Sequence, residues 1–388
     1  MHMPFGDSRY NLAAFLCALL VAFVVLFSGT GKHASQGVAV SAASSTIEVS
    51  NLSQLSFPSL PTATTTLAFT LAPAPPVATT TKPAPAKAVI KAKPVTPAAT
   101  SSAPVIPLPS GDISVAASTL RAALVNIICL VPSGSGLQSI SGSGVIISPS
   151  GYILTNSHVA QYFLLKDRDV SCGVRTGSPA SSAYRAGLAY ISPAWINANS
   201  NVLSEQAPTG TGEYDFAILA ITGSTSGNPV PASFPYAPLA TDPPQAGEPV
   251  VIGAYPAQFL ETSAIESSLY QTVVYGSIKD VYTFTQNLID VVSLGGTAAA
   301  QEGSSGGGVI DASGKLTATV TTSTTAGDTA DRNLDAITAN YIRREYQNET
   351  GDSLDDLLAL DPFTAIRNFA PRIPSLEAII TAPLNQNQ

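Results

Sequence analysis

From residue 112 onward, short apolar runs recur along the chain, each bounded by Gly, Ser, Pro or Asn. The runs are Val125–Val131, Gly144–Ser148, Tyr152–Thr155, Phe216–Ile221, Val250–Gly253, Val309–Asp311 and Leu316–Thr321. Short runs of this kind, separated by turn-forming residues, predict β-strands. Many such strands over about 230 residues favour a barrel or sandwich over alternating strands and helices.

Near the C-terminus the apolar spacing becomes helical. One predicted helical face carries Ile337, Tyr341, Ile342 and Tyr346. Farther on, Ser353 and Asp356 have the spacing of a capping box at the start of a helix. The patterns therefore predict a mostly β domain over residues 112–345, followed by a helical C-terminal tail over residues 346–388.

The N-terminus carries a membrane signal, because every residue from Leu12 to Phe27 is apolar. At about 1.5 Å per residue the run is marginal for a bilayer core, yet it exceeds the apolar region of an ordinary signal peptide. Lys32 and His33 interrupt the small-residue pattern of a cleavage site. We favour an uncleaved anchor within residues 1–29, which would place the rest of the chain outside the cytoplasm. The alternative is a cleaved signal peptide and a secreted protein.

Residues 30–111 form a low-complexity linker rich in Pro, Ala and Thr. Prolines remove backbone donors and favour extended polyproline II structure, so this stretch is predicted to be a solvated, semi-stiff spacer. The alternative function is a ligand for proline-recognising domains.

Composition and charge narrow the class of partner. The formal net charge of −8 disfavours binding to a phosphate backbone, and no basic aromatic patch is present, so nucleic-acid binding is not expected. Three cysteines and three histidines are too scattered for a metal site with fixed ligand spacing. We expect neither a metal ion nor a cofactor.

His158 is the only histidine beyond residue 112. A Ser-Pro-Ser-Gly turn between two predicted strands places it at a strand end, where a lone histidine is compatible with either a structural or a catalytic role. Asp215 stands at the start of an apolar strand. A buried carboxylate needs a partner, so His158 is its expected contact, whereas an Asp215 in a solvated loop would need none.

Ser305 lies in a glycine-rich segment, between Gly303 and Gly306-Gly-Gly308. Glycines on both sides permit a tight turn that exposes the hydroxyl and turns successive amides in one direction, as an oxyanion hole requires. A flexible Gly-Ser loop is the simpler interpretation of this segment by itself.

Taken in chain order, Thr155-Asn-Ser-His158, Asp215-Phe-Ala-Ile-Leu and Gly303-Ser-Ser305-Gly-Gly resemble the motifs of the trypsin-like serine proteases. The stretch from Gly142 to His158 is most similar to the histidine motif of the HtrA/Deg branch, although too few residues follow Arg343 for the PDZ domain of that branch. The resemblance covers about residues 115–343. It implies a chymotrypsin-like fold of two perpendicular six-stranded β-barrels with the site between them.

The resemblance also implies the roles of individual residues. His158 would be the general base and acid, Asp215 its orienting carboxylate and Ser305 the nucleophile. The backbone N–H groups of Gly303 and Ser305 would form the oxyanion hole. Two positions depart from the family pattern, since Ser304 replaces the usual Asn or Asp and Gly308 replaces the usual Pro.

By position relative to the nucleophile, Ala299 would form the floor of the substrate pocket, with Thr321, Thr322 and Ser323 along one wall. None of these residues is charged, so the pocket is expected to prefer small or medium apolar side chains. The segment 321–323 would pair with an extended polypeptide substrate as an edge strand.

Within the first barrel, Cys129 and Cys172 could approach and form a disulfide, the alternative being two buried thiols. The combined prediction is a membrane-anchored, extracytoplasmic serine endopeptidase. The competing prediction is a catalytically inactive trypsin-like domain that serves as a surface-displayed binding module.

Overall fold

The computed structural model describes residues 112–205, 209–284, 287–324 and 327–386. The predicted anchor and linker, residues 1–111, lie outside these ranges, and both stay predictions. Across the described ranges, no helix combines the length and the hydropathy needed to cross a bilayer.

Six antiparallel strands close the first barrel. They are β1 (Leu124–Leu130), β2 (Ile140–Ile146), β3 (Tyr152–Thr155), β4 (Ser171–Thr176), β5 (Ser181–Ile191) and β6 (Ala217–Ser224), in the order β1-β2-β3-β6-β5-β4. Pairing of β4 with β1 completes the circle. The strands predicted around residues 125, 144, 152 and 216 are confirmed, with β2 beginning earlier than expected. Alternate side chains of β1, such as Val125 and Ile127, fill the interior.

The second half forms a seven-stranded antiparallel sheet. Its strands are β7 (Pro249–Ala254), β8 (Thr272–Ser277), β9 (Asp280–Tyr282), β10 (Val291–Gly295), β11 (Gly308–Asp311), β12 (Leu316–Ser323) and β13 (Leu334–Thr338), in the order β8-β7-β11-β12-β13-β10-β9. This sheet curves as a half-barrel, so the expectation of a second closed six-stranded barrel is corrected.

The reason is a change of partner between β8 and β9, which are consecutive in the chain. The N–H of Ile278 donates to Glu248 O beside β7 at 3.0 Å, whereas the N–H of Lys279 donates to Ser293 O of β10 at 2.7 Å. The covalent chain, and not a strand ladder, therefore connects the two ends of the sheet.

Helix α1 (Ile113–Ala123) packs against β2, β7 and β11 and so contacts both sheets. Asp112 caps it by accepting the N–H of Ser114 at 2.8 Å. Its buried residues are Ala116, Ala117, Leu120 and Ala123, which form one helical face. Short helices lie in the loops, namely α2 (Ser157–Ala160), α3 (Pro193–Ala198) and α4 (Thr262–Ser267), with 3₁₀ turns at Gln161–Leu164, Lys166–Arg168 and Val202–Ser204.

Four helices follow the second sheet: α5 (Ala339–Thr350), α6 (Leu354–Ala359), α7 (Pro362–Phe369) and α8 (Ile373–Gln386), with a 3₁₀ turn at Ala370–Arg372 between the last two. The prediction that Ile337 belongs to the helix is wrong, because this residue pairs in β13 with Val291 and Thr319. The capping box of Ser353 and Asp356 is confirmed at the start of α6.

The C-terminal helices pack on the first barrel. Helix α7 contacts β5 and β6, and the ring of Tyr190 of β5 makes edge-to-face contacts with Tyr346 of α5 and Phe369 of α7. The predicted boundary between residues 345 and 346 lies within α5. Helix α5 therefore spans the predicted boundary, and the helices of the predicted tail belong to the layer that covers the first barrel.

Candidate active site

His158 lies on α2, immediately after β3, and the preceding residues hold it in place. Thr155, Asn156 and Ser157 are fully buried. The hydroxyl of Thr155 donates to Ser143 O at 2.7 Å, and that of Ser157 donates to Phe216 O at 2.7 Å. The imidazole remains 31% exposed. The strand end therefore presents a fixed histidine to solvent.

Asp215 contacts His158 at two points. Oδ2 of Asp215 lies 2.7 Å from Nδ1 of His158, and Oδ1 accepts the backbone N–H of His158 at 3.0 Å. The carboxylate is nearly buried, with a side-chain exposure of 6%, and is therefore not a solvated loop acid. Because a carboxylate only accepts, Nδ1 carries the proton, and Nε2 of the neutral imidazole is left with its lone pair.

The backbone just before Asp215 adopts an uncommon conformation. Tyr214 has φ +58°, in the left-handed region that side chains other than Gly rarely occupy. Its N–H donates to the hydroxyl of Tyr341 at 2.8 Å. The amide of Asn156 donates to Asp215 O at 2.8 Å, so contacts from α5 and from the histidine segment together hold the carboxylate in position.

Two opposing effects act on the imidazole. Burial lowers the pKa of His158, but the charge of Asp215 and its hydrogen bond raise it, and the net pKa lies above the usual value for histidine. His158 is therefore a stronger base than an isolated imidazole.

Ser305 lies in a loop that requires glycine. Gly303 and Gly306 have φ values of +90° and +85°. A Cβ at Gly306 would lie 2.0 Å from Ser143 O, so only glycine permits this approach to the first barrel. The N–H of Gly306 donates to Val320 O at 2.8 Å.

The amides of Gly303 and Ser305 are available to a ligand. Within the described part of the chain, neither N–H donates a hydrogen bond. The carbonyl of Glu302 accepts the N–H of Ala257 at 2.8 Å. Because C=O and N–H point in opposite directions across a trans peptide, the N–H of Gly303 faces away from Ala257.

The contacts of His158 with its two proposed triad partners differ. His158 and Asp215 are in contact, whereas among the described residues no hydrogen bond joins Oγ of Ser305 to His158. In active sites without bound substrate, catalytic hydrogen bonds are often long or poorly aligned.

The predicted pocket residues divide into buried and half-buried sets. Ala299 has no accessible surface, and Thr321 accepts the side-chain amide of Asn156 at 3.1 Å. Thr322 and Ser323 are half-buried at the end of β12.

Arg332 is a neighbour of this region that the sequence analysis missed. It is 5% exposed, and its Nη1 donates to Ala300 O at 2.7 Å and to the side chain of Gln258 at 2.6 Å. The Arg lies in a polar loop beside Asp331 and gives no pattern that separates it from a surface residue. A buried guanidinium group therefore binds the carbonyl of Ala300, the residue that follows the predicted pocket floor.

Cys129 and Cys172 form a disulfide. They are directly opposite each other on β1 and β4, the two strands whose pairing closes the barrel.

A family model described as the trypsin-like peptidase domain matches residues 142–318, a stretch that contains His158, Asp215 and Ser305. No curated protein matches the sequence at a significant level.

Among solved structures, the chain is similar to the Rv3671c protease of M. tuberculosis in its active form, with 21% identity over 66% of this chain and 93% of that chain and a TM-score of 0.38. It is also similar to a serine-to-alanine mutant of Rv3671c in its inactive form, with 20% identity over 64% of this chain and 98% of that chain and a TM-score of 0.39. Because these identities and scores are low, the domain match carries the assignment. Residues 142–318 therefore contain a trypsin-like peptidase domain.

Proposed function

We propose that the protein is a serine endopeptidase that cleaves polypeptides through an acyl-enzyme, with His158, Asp215 and Ser305 as its catalytic triad. The observation that carries this proposal is the two-point contact between Asp215 and His158, which fixes the ring and its tautomer. A structural histidine needs no such carboxylate at its Nδ1, and a catalytic one does.

In the proposed mechanism, Nε2 of His158 takes the proton of the Ser305 hydroxyl as Oγ bonds to the substrate carbonyl carbon. The carbonyl electron pair moves to oxygen, and the resulting oxyanion accepts the free N–H groups of Gly303 and Ser305. The imidazolium, stabilised by Asp215, then protonates the leaving amine as the C–N bond breaks. Water attacks the acyl-enzyme with the same proton transfers, and Ser305 is regenerated.

Substrate is proposed to add to the free edge of β12. Strand β13 pairs with Thr322 and Ser323 on one side, whereas the pairing of β12 with β11 ends at Thr319. Beyond Val320, the opposite edge therefore has no strand partner in the described part of the chain. An extended polypeptide can pair there through its backbone, with the side chain before the scissile bond directed toward Ala299.

We further propose that residues 1–29 anchor the protein in a membrane, that residues 30–111 form a spacer, and that the domain over residues 112–345 works outside the cytoplasm. The disulfide between Cys129 and Cys172 supports this location, because disulfides persist in oxidising compartments. Sequencing the N-terminus of the membrane-bound protein tests the anchor. A mature chain that begins after residue 27 would show a cleaved signal peptide.

A fluorophosphonate probe tests the proposed activity on the full chain. We expect it to label the wild type, and labelling to be lost in Ser305→Ala because the nucleophile is missing. Ser313→Ala is the matched control, since this exposed serine bonds only within its own turn and should be labelled like the wild type. Labelling that persists in Ser305→Ala, or a folded wild type that is never labelled, would contradict the proposal and favour the binding module.

A further inference from the structure

Ser143 is a fully buried residue of β2 in the first barrel, and it reaches the nucleophile loop of the second sheet. Its N–H donates to Ser305 O at 2.8 Å. Its hydroxyl donates to Gly303 O at 2.8 Å and accepts the N–H of Tyr255 at 2.9 Å. One side chain and its amide thus bind two carbonyls of a loop about 160 residues away.

These contacts complete a pattern in the loop, in which four consecutive carbonyls each accept a hydrogen bond. Glu302 O accepts from Ala257 N, Gly303 O from Ser143 Oγ, Ser304 O from Gly307 N, and Ser305 O from Ser143 N. The orientation of every peptide plane in the segment is therefore fixed. The N–H of Gly303 shares a peptide plane with Glu302 O, and the N–H of Ser305 shares one with Ser304 O. Within the described part of the chain, neither N–H donates a hydrogen bond.

Ser143 also connects the loop to the histidine strand. Its carbonyl accepts the hydroxyl of Thr155 at 2.7 Å, three residues before His158. The oxygen of the same carbonyl lies 2.0 Å from the position that a Cβ of Gly306 would take. All polar groups of Ser143 therefore form hydrogen bonds, and these bonds connect the nucleophile loop to the strand that leads to His158.

The chemistry of this position requires a small hydroxyl. The group must donate to Gly303 O and accept from Tyr255 N at once, and alanine can do neither. If the hydroxyl is removed, the carbonyl of Gly303 and the buried N–H of Tyr255 lose their partner. Among the described residues, the peptide between Gly303 and Ser304 is then held only by the N–H of Ser304, which donates to Gln301 O at 3.2 Å.

We propose that Ser143 is a positioning residue for the oxyanion hole, whose hydroxyl holds the loop so that the amides of Gly303 and Ser305 converge on one point. This inference rests on the proposed function, in which those two amides stabilise the transition state.

The test compares Ser143→Ala with Ser141→Ala in the full chain, using saturation kinetics of fluorophosphonate labelling. Ser141 is a matched control because it lies two residues earlier on β2 and, among the described residues, its hydroxyl accepts only from Asn126, at 2.9 Å. We expect the maximal labelling rate of Ser143→Ala to fall roughly 10- to 100-fold, less than the loss of a whole oxyanion donor. The probe concentration at half-maximal rate should change less than about twofold, because ground-state binding does not use the hole.

Two further measurements separate positioning from general loosening. The pH profile of labelling should be the same in Ser143→Ala as in the wild type, since Asp215 sets the pKa of His158. Ser143→Cys, which keeps a weak donor of similar size, should give an intermediate rate and replaces Ser143→Ala if that variant does not fold. Equal maximal rates in the two alanine variants would overturn the inference.

Hydrogen exchange makes the inference testable without activity. The amides of Gly306 and Gly307, which donate to Val320 O and Ser304 O, should exchange faster in Ser143→Ala than in Ser141→Ala. Should the folded wild type resist labelling, the proposed function fails, and equal exchange in the two variants would then overturn the positioning role as well.

Discussion

At the residue scale, Asp215 governs both the orientation and the basicity of His158. It accepts from the ring and from the backbone of the same residue, so no other partner is needed to select the tautomer. Its charge also raises the pKa of the imidazole above the usual value, against the effect of burial. An amide at this position keeps the shape of the carboxylate, but it loses the charge and can also donate to the ring.

We therefore predict two effects of Asp215→Asn. The rate of fluorophosphonate labelling should fall by up to about 10⁴-fold at neutral pH, since the amide favours the wrong tautomer. The acid limb of the pH profile should move to lower pH. In the wild type, His158 stays protonated, and so inactive as a base, up to a raised pKa, and removing the carboxylate lowers that pKa. Asp311→Asn, in a surface turn, should change neither quantity, and an unmoved limb in Asp215→Asn would contradict this assignment.

Asp335 of β13 is a carboxyl group whose charged form is disfavoured by burial in the folded protein. Burial raises its pKa to about 6, against hydrogen bonds from Asn333 and Ser293. Since the folded pKa exceeds the unfolded value of 3.8, the folded state binds the proton more tightly. The contribution of Asp335 to stability should accordingly be fully present below that unfolded value and be lost as pH rises through about 6.

The corresponding prediction is that Asp335→Asn stabilises the protein at pH 8 by about 1 to 2 kcal/mol, because the amide carries no charge to desolvate. Urea unfolding at pH 4 and pH 8 measures the effect, which should be small at the lower pH. Asp331→Asn, at an exposed position of the preceding loop, controls for the loss of surface charge. If both variants behave alike, burial of Asp335 is not the cause.

At the element scale, the strands that the sequence predicts have apolar residues on at least one face and lie between turn-forming residues. Strand β6 was found because both of its faces are buried from Ala217 to Ile221. Strand β8 was missed because it is an edge strand with half-exposed or exposed positions throughout, and β5 was missed because Arg185 and Gly187 break its apolar pattern. Ile337 was assigned to a helix because its spacing to Tyr341 is also helical, and pairing on both sides of β13 decided otherwise.

Helix α5 illustrates how the C-terminal helices contribute to the barrel domain. Glu349 accepts from the hydroxyl of Ser192 at 2.8 Å and from the N–H of Ala194 at 3.1 Å, and it also bonds the hydroxyl of Tyr190. Ser192 caps α3, so this single carboxylate ties the last part of α5 to the end of β5.

Replacing Glu349 by Ala should therefore lower the free energy of unfolding by about 2 to 4 kcal/mol, because several donors lose a charged acceptor together. Gln347→Ala, at an exposed position of the same helix, should cost less than about 0.5 kcal/mol. Chemical denaturation of both variants measures the difference. Similar losses would mean that helix propensity, and not the contact with the barrel, determines the cost.

At the scale of the whole molecule, the sequence singles out the candidate triad residues but not the contacts that hold their segments in place. His158, Asp215 and Ser305 each lie in a local motif with its own residue types, so a single sequence is enough to single them out. The bonds of Ser143 to Gly303 and of Arg332 to Ala300 join segments that have no shared pattern. Likewise, the open second sheet follows from the partner change at Ile278 and Lys279, which depends on strands far apart in the chain.

The disulfide acts on the molecule as a whole, because it restricts the unfolded chain. Cys129 and Cys172 are separated by 43 positions, and closing a loop of this size stabilises a fold by about 3 to 4 kcal/mol in the chain-entropy description. The double variant Cys129→Ala, Cys172→Ala should lose this amount in urea unfolding. It should still react with the fluorophosphonate under native conditions, because the bond lies between β1 and β4 and touches none of the candidate catalytic residues. A reductant supplies the matched control, since it should destabilise the wild type to a similar extent and leave the double variant unchanged. A wild type whose stability is indifferent to reduction would show that pairing of β1 with β4 suffices to close the barrel.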